Sequence, residues 1–282
     1  MGYADYADTR HDSVPFELFK FQWGDSEDDC FTYTDAERPI SIGTGGDALV
    51  YTPTPVSRST IKSTVGFKGN IDISVPVKSS LADLYKGLPP SLQTRVTIYR
   101  GQLADATKEV KLVWLGAIVS HTFKGSEAIF RCELDASTIK RVGLRTHYQH
   151  TCPHMLYGNA CRASKAAATR STTVSSISGA MLGLPSGWSS GSDAAKFAGG
   201  FIYYERPSGQ PERIAILSAS DSETLLLANA PPTLVAGMDV DVVLGCDHTI
   251  PDCSTLHSNV QNFGGCWQIP TDNPIGLKNN FY

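Results

Sequence analysis

The chain has 282 residues, of which 41% are hydrophobic and 18% charged, so wholesale disorder is excluded and one large or two ordinary domains are expected. Lys and Arg number 24 against 28 Asp and Glu, a formal charge of -4, without the basic excess of a nucleic-acid binder. No sequence-specific nucleic-acid partner is expected, and no run approaches the ~18 apolar residues of a membrane-spanning segment.

In chain order, the first forty residues are acidic. The run Asp25-Ser26-Glu27-Asp28-Asp29 predicts an exposed turn, with Phe16, Leu18 and Phe21 near it. Cys30–Thr34 reads as a strand, as does Leu49–Thr52 after the turn Gly43-Thr44-Gly45-Gly46. Ile71, Ile73 and Val75 alternate with Asp72 and Ser74, the period of a half-buried strand. Leu81, Leu84, Tyr85 and Leu88 recur at helical spacing, with Ser79-Ser80 as cap and Pro89-Pro90 as stop. Strands are predicted again at Val96–Tyr99, Val110–Leu115, Ile118–Val119 and Ala128–Cys132. This half reads as an antiparallel β-rich unit, a barrel or sandwich, over residues 1–145.

Apolar alternation then disappears over residues 145–190, which include an Ala/Ser/Thr-rich stretch from Ala163 to Ser178. A second unit over 146–282 is expected to be a small antiparallel sheet or barrel with irregular loops. Its predicted strands are Phe201–Tyr204, Arg213–Leu217, Thr224–Leu227 and Val240–Leu244, with a turn at Pro207-Ser208-Gly209. The tail from Asn262 to Tyr282 lacks periodicity and reads as an irregular arm. The fold class is therefore mainly β.

Seven cysteines, an odd number, fit poorly with a fully paired disulfide framework. With no basic-then-apolar N-terminal stretch, they suit a chain made in a reducing compartment. Cys152 and Cys161 bracket eight residues, and Cys246 and Cys253 bracket six. Two such loops side by side would offer four thiolates to a soft metal or an iron–sulfur cluster. Zinc sites usually use gaps of two to four, so Zn2+ fits these loops less well but stays open, as do two disulfides or four unliganded cysteines. His154, His248 and His257 lie in or near the loops, as ligands or as hydrogen-bonding partners. Cys30 and Cys132 read as small buried side chains, and Cys266, after Gly264-Gly265, is a further ligand candidate. Asp247 and Asp252 are expected to be merely solvated.

The order Gly245-Cys246-Asp247, Cys253, Asn259, Asn262-Phe263-Gly264-Gly265, Ile269-Pro270 and Asn273-Pro274 resembles the terminal motif of a known group. The group comprises the tail-tip or baseplate hub proteins of long non-contractile-tailed bacteriophages, the lambda type among them, and of related gene transfer agents. The Cys152…Leu156-Tyr157…Cys161 loop and Phe197-Ala198-Gly199-Gly200 followed by Arg213-Ile214 resemble it too. So does the N-terminal half, through Tyr33-Thr34, Ala36, Tyr51-Thr52-Pro53 and Val56-Ser57-Arg58. The resemblance implies a structural virion protein with a β-rich hub in residues 1–145. It also implies a [4Fe-4S] cluster on Cys152, Cys161, Cys246 and Cys253. The implied assembly is a homotrimer at the tail tip, made in the host cytoplasm, between the distal tail protein and the central tail fibre protein.

Three readings follow: the structural hub, a zinc-stabilised β-rich binding module, and an iron–sulfur redox enzyme. The chain has no Gly-rich phosphate loop, no G-x-S-x-G elbow and no H-E-x-x-H helix, so no enzymatic activity is expected.

Overall fold

The computed structural model describes residues 3–9, 14–24, 29–43, 48–62, 69–87, 89–105, 108–136, 143, 147–207, 209–231 and 233–269. The expected acidic turn at 25–28, the glycine turn at 44–46, Leu88, Ser208 and the arm at 270–282, with Pro270, Asn273 and Pro274, lie outside them. The chain divides into two compact units, Met1–Arg141 and Val142–Tyr282.

Among the described residues, the first unit is built on one nine-stranded sheet. Its strands are β1 (Pro15–Gln22), β2 (Cys30–Thr34), β3 (Ile40–Ile42), β4 (Leu49–Pro53), β5 (Ser57–Arg58), β6 (Ile71–Pro76), β7 (Arg95–Gln102), β8 (Val110–Lys124) and β9 (Glu127–Leu134). They lie in the order β3-β4-β2-β1-β7-β8-β9-β6-β5. Pairing is antiparallel except between β2 and β4. On β6 the alternation is realised: Ile71, Ile73 and Val75 are buried and pair with Cys132, Phe130 and Ala128 of β9. Each such fully buried aliphatic or aromatic side chain contributes about 1.5–3 kcal/mol. Burial pushes the Cys132 thiol up to about 12, so this cysteine is an inert packing residue.

A short helix, α1 (Tyr3–Ala7), precedes the sheet, and α2 (Ser80–Tyr85) covers part of it. Ser79 caps α2 by accepting from Ala82 N, and Tyr33 Oη accepts from Leu81 N at 3.1 Å. β8 is one strand where two pieces were expected. Register shifts at Ile98/Tyr99 and at Ile118/Ser120 break its alternation without breaking its ladder. Gly116 lets it pass: a Cβ there would sit 2.1 Å from Glu133 O.

In the second unit, α3 (Lys165–Ala168) leads into β10 (Thr169–Thr173), β11 (Ser176–Ser178) and β12 (Met181–Gly183). β13 (Phe201–Glu205), β14 (Pro211–Ala219), β15 (Thr224–Leu227), β16 (Asp239–Val243) and α4 (Ile250–Thr255) follow. The strand order is β10-β16-β13-β14-β15-β12-β11. Its two ends belong to one bent run of chain. Val174 N bonds Met238 O and Ser175 N bonds Gly183 O, both at 2.9 Å, so the ladder continues on either side of the bend. The sheet thereby curls back on itself, and the polar residues 169–178 close it. Inside lie Leu182, Phe197, Ile202, Tyr204, Ile216, Leu225 and Val242. Between β13 and β14, Arg206 N donates to Gln210 O and Gly209 N to Arg206 O, both at 2.8 Å.

Candidate metal centre

The end of β16 fixes the site. Gly200 and Gly245 pass so close to neighbouring main chain that a Cβ would meet Val243 O at 2.1 Å and Ala198 O at 1.8 Å respectively. Gly199 adopts φ +77, a conformation that glycine supplies at no steric cost. The Phe197-Ala198-Gly199-Gly200 motif and Gly245 are thus a backbone-on-backbone contact that delivers Cys246 at the strand terminus. Gly245 N donates to Lys196 O at 3.0 Å and locks that contact.

Cys246 opens a turn. Its Sγ accepts from His248 N at 3.3 Å, and Asp247 Oδ1 accepts from Thr249 N at 2.8 Å and from Thr249 Oγ1 at 2.6 Å. α4 begins at once, with Pro in its first turn, and carries Cys253. A short helix stands where only a loop was expected. Cys152 is tied to the same turn, its N donating to His248 O at 2.9 Å. Tyr157 anchors the Cys152–Cys161 loop by donating its hydroxyl to Leu244 O at 2.7 Å.

Cys152, Cys161, Cys246 and Cys253 line one cavity with His154, Leu156, His248, Thr249, His257, Asn259, Asn262 and Phe263. Burial, then the mutual charges of Cys152 and Cys161, push the Cys253 thiol up. Burial above all raises Cys246, and it raises Tyr157 as well, with Cys246 and Cys161 adding to the effect on Tyr157. Four cysteines from distant parts of the sequence therefore line one common space. Among the described residues, no three His, Cys, Asp or Glu side chains converge as the ligands of one metal ion would.

The chain after α4 closes over this cavity. Asn259 is buried, and its Nδ2 donates to Cys161 O at 2.5 Å with Cys161 Sγ at 3.7 Å. Asn262 Nδ2 props Asn259 Oδ1 at 2.6 Å, and Gly264 N approaches Cys152 Sγ at 3.4 Å. Three of the four sulfurs thus receive an N–H. His154 Nδ1 lies 3.1 Å from Asn262 O and His257 Nε2 lies 2.9 Å from Gly245 O. A carbonyl only accepts, so each of those nitrogens carries its proton, and one nitrogen of each ring is committed to main chain. Gly264 is set against the His154 ring, which a Cβ would approach to 2.5 Å.

Cys266 does not line the cavity; its N donates to Gln149 O at 2.8 Å. Cys30 is half-buried in β2, within the first unit. Asp252, expected to be solvated, is buried: it pairs with Lys196 at 2.9 Å and accepts from Asp247 N at 3.3 Å. Among the described residues, four of the six non-glycine residues with positive φ, Tyr157, Arg162, His248 and Ser258, lie in or beside these segments. Such conformations persist where surrounding bonds over-determine them. The roles of Asn259, Asn262 and Gly264 were visible in the sequence only as a motif order, since their partners lie about a hundred residues away.

The family described as baseplate hub protein, N-terminal attachment domain, matches residues 19–164. The chain belongs to this family. A second family, described as phage conserved hypothetical protein BR0599, matches residues 195–273. The first match contains Cys152 and Cys161, the second Cys246, Cys253 and the Asn259–Gly265 motif. In fold the chain is similar to one in a structure described as the virion of a native gene transfer agent (GTA) particle. The TM-score is 0.73 at 17% identity, over 98% of this chain and 97% of that one. No curated protein matches the chain. The protein is a structural component of the tail baseplate of a phage-type virion. No helix among the described residues is long and apolar enough to cross a membrane.

Proposed function

We propose that the second unit is a cluster-stapled module of the baseplate hub, with Cys152, Cys161, Cys246 and Cys253 holding a [4Fe-4S] cluster. The supporting observation is the arrangement of four thiols around one cavity, three of them facing an N–H donor. The donor set is soft, as a cluster requires. The gaps of eight and six residues between the paired cysteines are longer than those of usual zinc sites and leave room for a group with a separate iron for each thiolate. Once bound, the cluster supplies a covalent staple between the 152–161 loop and the end of β16. The long connection between them is closed, and the unfolded chain loses freedom. The role is structural, and no catalytic step is assigned to it.

The hub acts as a homotrimer seated between the distal tail protein and the central tail fibre protein. This geometry rests on the family's place in the baseplate and on the resemblance of the terminal motif. The test is a variant with all four cysteines replaced by serine, purified anaerobically beside the wild type. Loss of iron together with a markedly lower melting temperature is expected; an unchanged melting temperature would remove the structural role. Light scattering on the wild type should give three chains per particle, and a stable dimer would contradict the trimer.

A further inference from the structure

The segment Asn259–Cys266 bonds to the cysteine segments at several points. Asn259 Nδ2 faces both the carbonyl and the sulfur of Cys161, and Gly264 N faces the sulfur of Cys152. Asn262 fixes Asn259 through its side chain and His154 through its carbonyl. Cys266 N ties the end of the segment to Gln149, just ahead of Cys152. Gly264 and Gly265 are needed for this fit, since a Cβ would strike the His154 ring at 2.5 Å or His150 O at 2.6 Å. The segment is a strap built against the sulfurs themselves.

Resting on the reading of the cavity as a cluster site, we propose that this strap sets the electronic state of the bound cluster and shields it. Asn259 and Gly264 act as positioning residues that donate N–H groups to the Cys161 and Cys152 sulfurs. An N–H pointed at a thiolate stabilises negative charge there, and charge on the sulfurs grows on reduction. Hydrogen bonds to sulfur and solvent exposure are two of the determinants of cluster potential. A strap that supplies donors and covers the cavity therefore favours the reduced cluster and slows the escape of iron.

The test uses the full chain purified anaerobically, with Asn259→Ala beside wild type. Each is titrated with dithionite in a spectroelectrochemical cell, and iron loss to an excess of chelator is timed. The variant should keep the wild-type iron and sulfide content, show a more negative midpoint potential, and lose iron severalfold faster. A residue that merely stabilised the fold would leave the potential where it was. Asn262→Ala removes only the prop under Asn259 and should shift both readouts in the same direction by less; it serves if Asn259→Ala does not fold. A wild-type protein with a full cluster and variants of unchanged potential and stripping rate would overturn the strap's role and leave the cluster intact. A folded wild-type protein without iron or sulfide would overturn both.

Discussion

Glu17, on β1 of the first unit's sheet, offers a quantitative test of how that unit is held. Its carboxylate accepts from Arg58 Nε at 2.7 Å and Arg58 Nη2 at 2.5 Å, and from Arg100 Nη2 at 2.7 Å. The side chains of Glu17 and Arg58 are 12% and 14% exposed, that of Arg100 40%. Glu17→Gln keeps the shape and removes the charge, leaving two guanidinium groups without their shared counterion. Breaking a buried pair costs about 3–5 kcal/mol and an exposed one about 0–1 kcal/mol. The Arg58 pair lies near the buried end and the Arg100 pair near the exposed end. Discounted for residual solvent, the loss is about 2–3 kcal/mol. At roughly 4 °C per kcal/mol for a unit of this size, the melting temperature should fall by about 8–12 °C at pH 7.

The pH dependence has a definite sign. Burial opposes ionisation of Glu17, but the hydrogen bonds and charges of Arg58 and Arg100 outweigh it and hold the carboxyl below its ordinary value of 4.5. A depressed folded value gives stabilisation that is complete above the unfolded value and is lost as pH falls through the folded one. The gap between wild type and Glu17→Gln should therefore be widest near neutrality and shrink below about pH 4. Thermal unfolding followed by circular dichroism between pH 3 and 7 measures it. Equal melting temperatures at pH 7, or a gap that grows in acid, would refute the reasoning.

Three further outcomes are expected. Gly245→Ala would place a Cβ 1.8 Å from Ala198 O, where only main chain could yield, so a loss on the order of 3 kcal/mol or more should appear as poor soluble yield and a lowered melting temperature. Trp114→Phe removes the buried bond from Trp114 Nε1 to Gly69 O at 3.1 Å, which a shifted urea midpoint should register as about 1–3 kcal/mol. Cys266→Ser should leave the iron content of the anaerobically purified protein unchanged, whereas Cys161→Ser should lower it, because only the second lines the cavity.

Where the sequence was legible, one face of a strand was buried throughout. β6 reads directly from Ile71, Ile73 and Val75. β1 does not, because its buried face switches partway along. Phe16 and Leu18 join one cluster, while Phe19 and Phe21 join the larger one on the other side. No single period survives that switch. β10 escaped notice for a different reason: Thr169–Thr173 closes a curled sheet with hydroxyl side chains, and its ladder partner β16 carries the apolar residues. At the site, the cysteine spacing was visible because the members of each cysteine pair are close in sequence. The donors to their sulfurs and the Lys196–Asp252 pair are not local, and only the folded chain assembles them.

In the proposed module, four cysteines from two distant segments hold one cluster. Native mass spectrometry of the anaerobically purified chain tests it most directly. A mass increment of four irons and four sulfides on each wild-type chain, absent from the all-serine variant, is the predicted result. A bare folded chain, or one carrying a single zinc, would contradict it.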